Sequence, residues 1–143
     1  MAQNDNKKLS KRLFEEVWNK GNLDIIEEFI ASDYIIHMGS KDLIGVDRYK
    51  NFIRAYRRAF PDISYTVDDL IAEDDKVVER WTARGTHKGE IWGIPPTNKK
   101  LIVSGIDIVR IVDGKMVERW GQFDFQGMME QLGVIKPMNM ETL

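Results

Sequence analysis

Apolar residues recur at helical spacing early in the chain and at strand spacing from its middle onward. Leu9, Leu13 and Val17, with Phe14 and Trp18, share one face of a helix that begins at Lys7 and ends at Gly21–Asn22. Residues 23–31 read as a second short helix, and 34–38 as a short strand leading into a Gly-Ser loop. Tyr49, Phe52, Ile53, Tyr56 and Phe60 predict a helix over residues 46–60, closed by Pro61. The period then falls to two. Strands are expected over 63–72, 76–87, 100–112 and 115–125, with hairpin turns at Asp74–Asp75 and Asp113–Gly114. A short helix over 127–132 ends the pattern.

The order ααβαββββ gathers helices early and strands late. It argues an α+β fold with a curved antiparallel sheet over the helices. No repeat or linker interrupts it, so residues 1–143 read as one domain with loose tails at 1–6 and 137–143.

The last hairpin can be phased. A two-residue turn at Asp113–Gly114 sets Val112 opposite Lys115, and the same register pairs Asp107 with Trp120, Gly105 with Gln122 and Val103 with Asp124. Alternation then puts Asp107, Trp120, Gln122 and Asp124 on one face, with the look of a pocket lining. Arg110, Arg119, Phe123 and Phe125 fall on the other. A bulge would flip part of this assignment. In this register Asp124 lies roughly 13 Å along the strand from the partner of Asp107, at ~3.3 Å per residue. The two carboxylates are too far apart for a dyad, and one acts alone.

Composition narrows the chemistry. The net charge of −2 makes no electrostatic case for nucleic acid or an anionic membrane. There is no cysteine, which removes disulfides and thiolate chemistry, and two histidines cannot form a three-histidine zinc site. No metal site is expected. The N-terminus lacks a signal-peptide core and no apolar run is long enough to span a membrane, so a cytoplasmic location is the default expectation.

His87 ends a strand and His37 follows an apolar run; each suits hydrogen bonding to a ligand oxygen or a structural role. Trp81 and Trp120 are core payload first and ligand platforms second, and Tyr49 lies on a helix face that packing alone would explain. The Pro95–Pro96 loop reads as a rim over a pocket mouth or as a plain connection.

These residues together resemble the SnoaL-like polyketide cyclase family, within the nuclear-transport-factor-2-like fold. The resemblance is carried by Trp18–Asn19–Lys20–Gly21–Asn22, His37, the run Arg80 to Gly89, Gly93–Ile94–Pro95–Pro96–Thr97, Gly105–Ile106–Asp107, and Asp113 through Trp120 to Asp124. It implies a cone-shaped α+β barrel enclosing an apolar pocket, frequently paired into dimers or tetramers through the sheet. It also implies intramolecular aldol ring closure on an apolar carbonyl substrate, without metal or cofactor. A last-strand aspartate serves as acid/base, and Asp124 best matches that position; its alternatives are to cap the helix that follows or to pair with an arginine. His37, His87, Asp107, Trp81, Trp120, Gln122 and Tyr49 are the candidate substrate contacts. The chain departs from many relatives at Gly121, where they carry a second carboxylate after the strand tryptophan. Epoxide hydrolysis, ketosteroid-type isomerisation and a non-catalytic binding or oligomerisation module are the competing readings of the same fold.

Overall fold

The computed structural model describes residues 3–143. Helix α1 (Gln3–Arg12) runs on into a π-helical stretch (Leu13–Asn19). The helix starts earlier than its apolar stripe predicts, because its first turns bury Asn6 and Ser10, polar residues that hydrophobic periodicity does not register. Residues 3–6 therefore belong to the helix rather than to a loose tail; Met1 and Ala2 lie outside the described residues. A 3-10 turn (Leu23–Glu28) leads into β1 (Ile30–Met38) and β2 (Lys41–Ile44), the latter where a loop was expected. Helix α2 (Val46–Ala59) precedes β3 (Ser64–Glu73), β4 (Lys76–Thr86), β5 (Lys100–Val112) and β6 (Lys115–Phe123), and α3 (Phe125–Leu132) follows.

The strands form one six-stranded sheet in the order β2-β1-β6-β5-β4-β3. All pairs are antiparallel except β1 with β6, which corrects the expectation of a wholly antiparallel sheet. The parallel pair is allowed because α2 and four strands separate its members in sequence. The helices pack on the concave side. Leu13 and Val17 of the first helical segment, and Ile53 of α2, meet Val77, Val109 and Met116 of the sheet, all buried.

Register is where sequence and structure part. Val112 pairs with Lys115 and Ile111 with Met116, as the Asp113–Gly114 turn requires. A bulge follows, and Arg110 pairs with Glu118, Val109 with Arg119, Asp107 with Gly121 and Gly105 with Phe123. One inserted residue exchanges the two faces of β6. Arg119, Gly121 and Phe123 point inward with Asp107; Trp120 and Gln122 point outward and are exposed. The grouping of Asp107 with Trp120, Gln122 and Asp124 is thereby corrected.

Candidate functional site

The concave face and the helices enclose a cavity with a free volume of about 110 Å³. Its walls are mostly aromatic and aliphatic; Trp18, Tyr49, Tyr56, Tyr65, Trp81 and Phe123 all contribute. Asp107 is the sole carboxylate among the described lining residues, with Arg119 beside it.

Asp107 belongs to a row of ionisable side chains across three adjacent strands, with Glu79 and Arg119 buried. Arg119 Nη1 donates to Asp107 Oδ2 at 2.7 Å and also to Glu79 Oε1. Arg119 Nε donates to the Tyr34 hydroxyl at 2.6 Å. Glu79 pairs with Asp107 in the β4–β5 ladder and accepts a hydrogen bond from Ser10 of α1. Glu79 is 0% exposed and Arg119 4%. Burial pushes the Glu79 carboxyl above its usual range, against the pull of Arg119. Burial also works against the charge on Arg119, but Glu79, Tyr34 and Asp107 hold its pKa well above ordinary, so it stays protonated. The Tyr34 hydroxyl is pushed up to about 12 by burial, with Arg119 opposing.

Two glycines make room for this row. Trp81 Nε1 donates to Asp107 Oδ1 at 3.3 Å, and its ring lies over Gly105, where an added Cβ would stand 2.4 Å from the indole. At Gly121 a Cβ would stand 3.2 Å from Asp107 Oδ1. By alternation Gly121 belongs with Arg119 and Phe123, on the face that the unbulged register turns away from the pocket. It lies inside, and the carboxylate of Asp107 covers it.

The other candidates separate. Tyr49 lines the cavity and accepts a 3.1 Å hydrogen bond from Trp18 Nε1. His87 is fully buried below the loop over residues 88–99 and does not line the cavity. Its Nδ1 accepts from the Thr97 backbone N–H at 3.1 Å, which puts the proton on Nε2, where no partner stands among the described residues. His37 lies on the outer side, with Nδ1 2.8 Å from Asp42 and Nε2 2.8 Å from Glu118, stacked on Trp120. Gln122 shares that outer side. Asp124 is exposed at the N-terminus of α3 and accepts from the Gly127 N–H at 2.9 Å. This is the capping role, one of its two alternative readings. The loop over residues 88–99 folds back on α2: Lys88 and Gly89 donate to the Ala59 carbonyl, and Trp92 Nε1 donates to the Tyr56 hydroxyl at 2.9 Å.

Sequence reasoning missed Arg119, Glu79, Ser10 and Tyr65. The available signal was Glu79 and Arg119 within otherwise apolar strand runs, which alternation alone assigns to the solvent side. No group of three or more His, Cys, Asp or Glu that could hold a metal is present among the described residues, and no described helix is long and apolar enough to cross a membrane.

Helices seated in a curved, open sheet, with a cavity between them, define an α+β protein of the nuclear-transport-factor-2-like kind. The chain belongs to the SnoaL-like polyketide cyclase family, whose model matches residues 8–132. It is 29% identical over 125 residues to nogalonic acid methyl ester cyclase of Streptomyces nogalater, covering 81% of this chain and 89% of that protein. It is 28% identical over 127 residues to aklanonic acid methyl ester cyclase DauD of Streptomyces sp. strain C5, covering 85% and 78%. Among solved structures, TsrD from Streptomyces laurentii superposes with a TM-score of 0.86 at 28% identity, covering 94% of this chain and 99% of that one. AclR from Streptomyces galilaeus gives 0.87 at 26% identity, covering 99% and 88%.

Proposed function

We propose that the protein is a polyketide cyclase that closes a ring by acid/base chemistry, with Asp107 as the proton-transfer group. The observation that carries this reading is Asp107 itself, a carboxylate at the boundary between an aromatic cavity and a fixed guanidinium. Oδ2 is committed to Arg119 at 2.7 Å, while Oδ1 has only the longer 3.3 Å contact with Trp81. Oδ1 is the oxygen left to react. It takes a proton from a carbon beside a carbonyl. The resulting enolate carbon bonds to a second carbonyl carbon, and the new alkoxide takes the proton back. Product and substrate are isomers, and the carboxylate is regenerated. The acid/base role expected of Asp124 thus passes to Asp107, across the ladder from the glycine where many relatives carry their second carboxylate.

Epoxide hydrolysis fits less well. Arg119 does bridge two carboxylates, but Glu79 lies outside the cavity with its oxygens engaged by Ser10 and Arg119. Ketosteroid-type isomerisation would use the same aspartate and differ in where the proton returns. Exposed Ile102, Ile106, Ile108 and Trp120 on the outer sheet face support self-association there, as a homodimer or homotetramer; we place its action in the cytoplasm.

The test is turnover of nogalonic and aklanonic acid methyl esters by wild type, Asp107→Asn and Asp124→Asn. Asp107→Asn should lose on the order of 10²–10⁴ in rate, and Asp124→Asn should keep it. Equal rates in wild type and Asp107→Asn overturn the assignment. No turnover of either ester by wild type, with intact small-molecule binding, moves the reading to a binding protein.

A further inference from the structure

The four tyrosines of the chain differ in one respect. The Tyr34 hydroxyl accepts from Arg119 at 2.6 Å, that of Tyr49 from Trp18 at 3.1 Å, and that of Tyr56 from Trp92 at 2.9 Å. The Tyr65 hydroxyl makes no hydrogen bond to any described residue, although its ring forms part of the cavity wall. Tyr65 is half-buried, and a phenol that lines an apolar cavity without a protein partner is free to donate to an occupant that carries an acceptor.

Tyr65 is held firmly for an idle group. Its ring centroid lies 5.2 Å from Trp81, 5.0 Å from Trp18 and 5.5 Å from Phe14. Its peptide is gripped by one side-chain amide: Tyr65 N–H donates to Asn19 Oδ1 at 2.6 Å, and Asn19 Nδ2 donates to the Tyr65 carbonyl at 3.0 Å. Arg57 in turn donates to the carbonyls of Trp18 and Asn19, and packs where a Cβ on Gly21 would stand 2.7 Å from Nε. The Trp18–Asn19–Lys20–Gly21 segment, which the proposed chemistry leaves unused, thus fixes the position of Tyr65. Trp81 joins the two halves: Tyr65 packs against its ring, and Asp107 takes its N–H.

We infer that the Tyr65 hydroxyl binds the carbonyl oxygen of a ligand in the cavity and stabilises the negative charge that forms there. Burial, with Tyr56, Tyr49 and Asp107 adding to it, raises this phenol well above its usual pKa, so it remains a donor at neutral pH. In the ring closure the acceptor carbonyl oxygen becomes an alkoxide while the carbon–carbon bond forms. Tyr65 donates a hydrogen bond to it without losing its proton, and the proton held by Asp107 then neutralises it. The catalytic half of this inference rests on the cyclase reading; the binding half does not.

Binding of 1-tetralone and tetralin, one bicyclic skeleton with and without a carbonyl, separates the two. Calorimetry on wild type and Tyr65→Phe should show tetralone binding weakened about tenfold by the loss of one hydrogen bond, with tetralin binding unchanged. Tetralin also controls for folding, since Tyr65→Phe removes no hydrogen bond of the protein. Any other pattern overturns the binding role, including no binding of either ligand by wild type. With an ester that wild type turns over, Tyr65→Phe should lower kcat about 10²-fold; an unchanged kcat overturns the catalytic role alone.

Discussion

Arg119 reaches Asp107 diagonally, from the position opposite Val109, and closes a 2.7 Å hydrogen bond inside the sheet. The contact exists because one bulge in β6 turns Arg119 inward. The same guanidinium is held from behind by Glu79, so a side chain outside the cavity lining helps to set the orientation of Asp107.

A buried ion row of this kind is sensitive to the loss of one member. Arg119→Ala leaves Glu79 and Asp107 facing each other across the β4–β5 ladder without a cation. It should cost about 3–5 kcal/mol of stability, measured by urea denaturation. Because burial raises the Glu79 carboxyl, part of that loss should be recovered at low pH as Glu79 takes a proton. A variant whose deficit is the same at pH 5 and pH 8 would count against this account.

Asp124 should behave as a helix cap. Asp124→Ala removes the acceptor for the Gly127 N–H and should cost about 1 kcal/mol, while Asp124→Ser should cost less. Thermal denaturation reads both. The loss should be confined to α3, with cavity binding of tetralin unchanged.

His37 gives a pH signature on the outer face. Hydrogen bonds to Glu118 and then Asp42 raise its pKa above the ordinary 6.5, and the His37 contact lowers Glu118 below 4.5. Arg110, also on Glu118, is the remaining charge in this cluster. The histidine contribution is fully present below pH 6.5 and fades as pH rises through its raised value. The Glu118 contribution is fully present above pH 4.5 and fades as pH falls through its lowered value. The melting-temperature gap between wild type and His37→Gln should therefore be widest between pH 4.5 and 6.5 and shrink above neutrality.

Helical and strand periodicity made most of the elements readable, and the Asp74–Asp75 and Asp113–Gly114 turns were legible from residue type alone. Asp113 and Asp74 adopt positive φ there, 50° and 53°, as such hairpins require. Edge strand β2 was not legible, because four residues between Gly39–Ser40 and Gly45 carry too short an alternation. The site was legible only in part: Asp107, Trp81 and Tyr49 stand in the cavity wall, while His37, His87, Trp120, Gln122 and Asp124 do not.

By itself, then, the sequence determined the periods, the turns and the family resemblance, because these depend on residues near one another in the chain. Tertiary structure alone decided which side of β6 faces the helices. A bulge is one residue of slack in a ladder, chosen by how the whole sheet closes over its core, and no local pattern in residues 115–123 encodes it. That choice turned Arg119 and Gly121 inward, sent Trp120 and Gln122 outward, and left Asp107 as the carboxylate at the cavity.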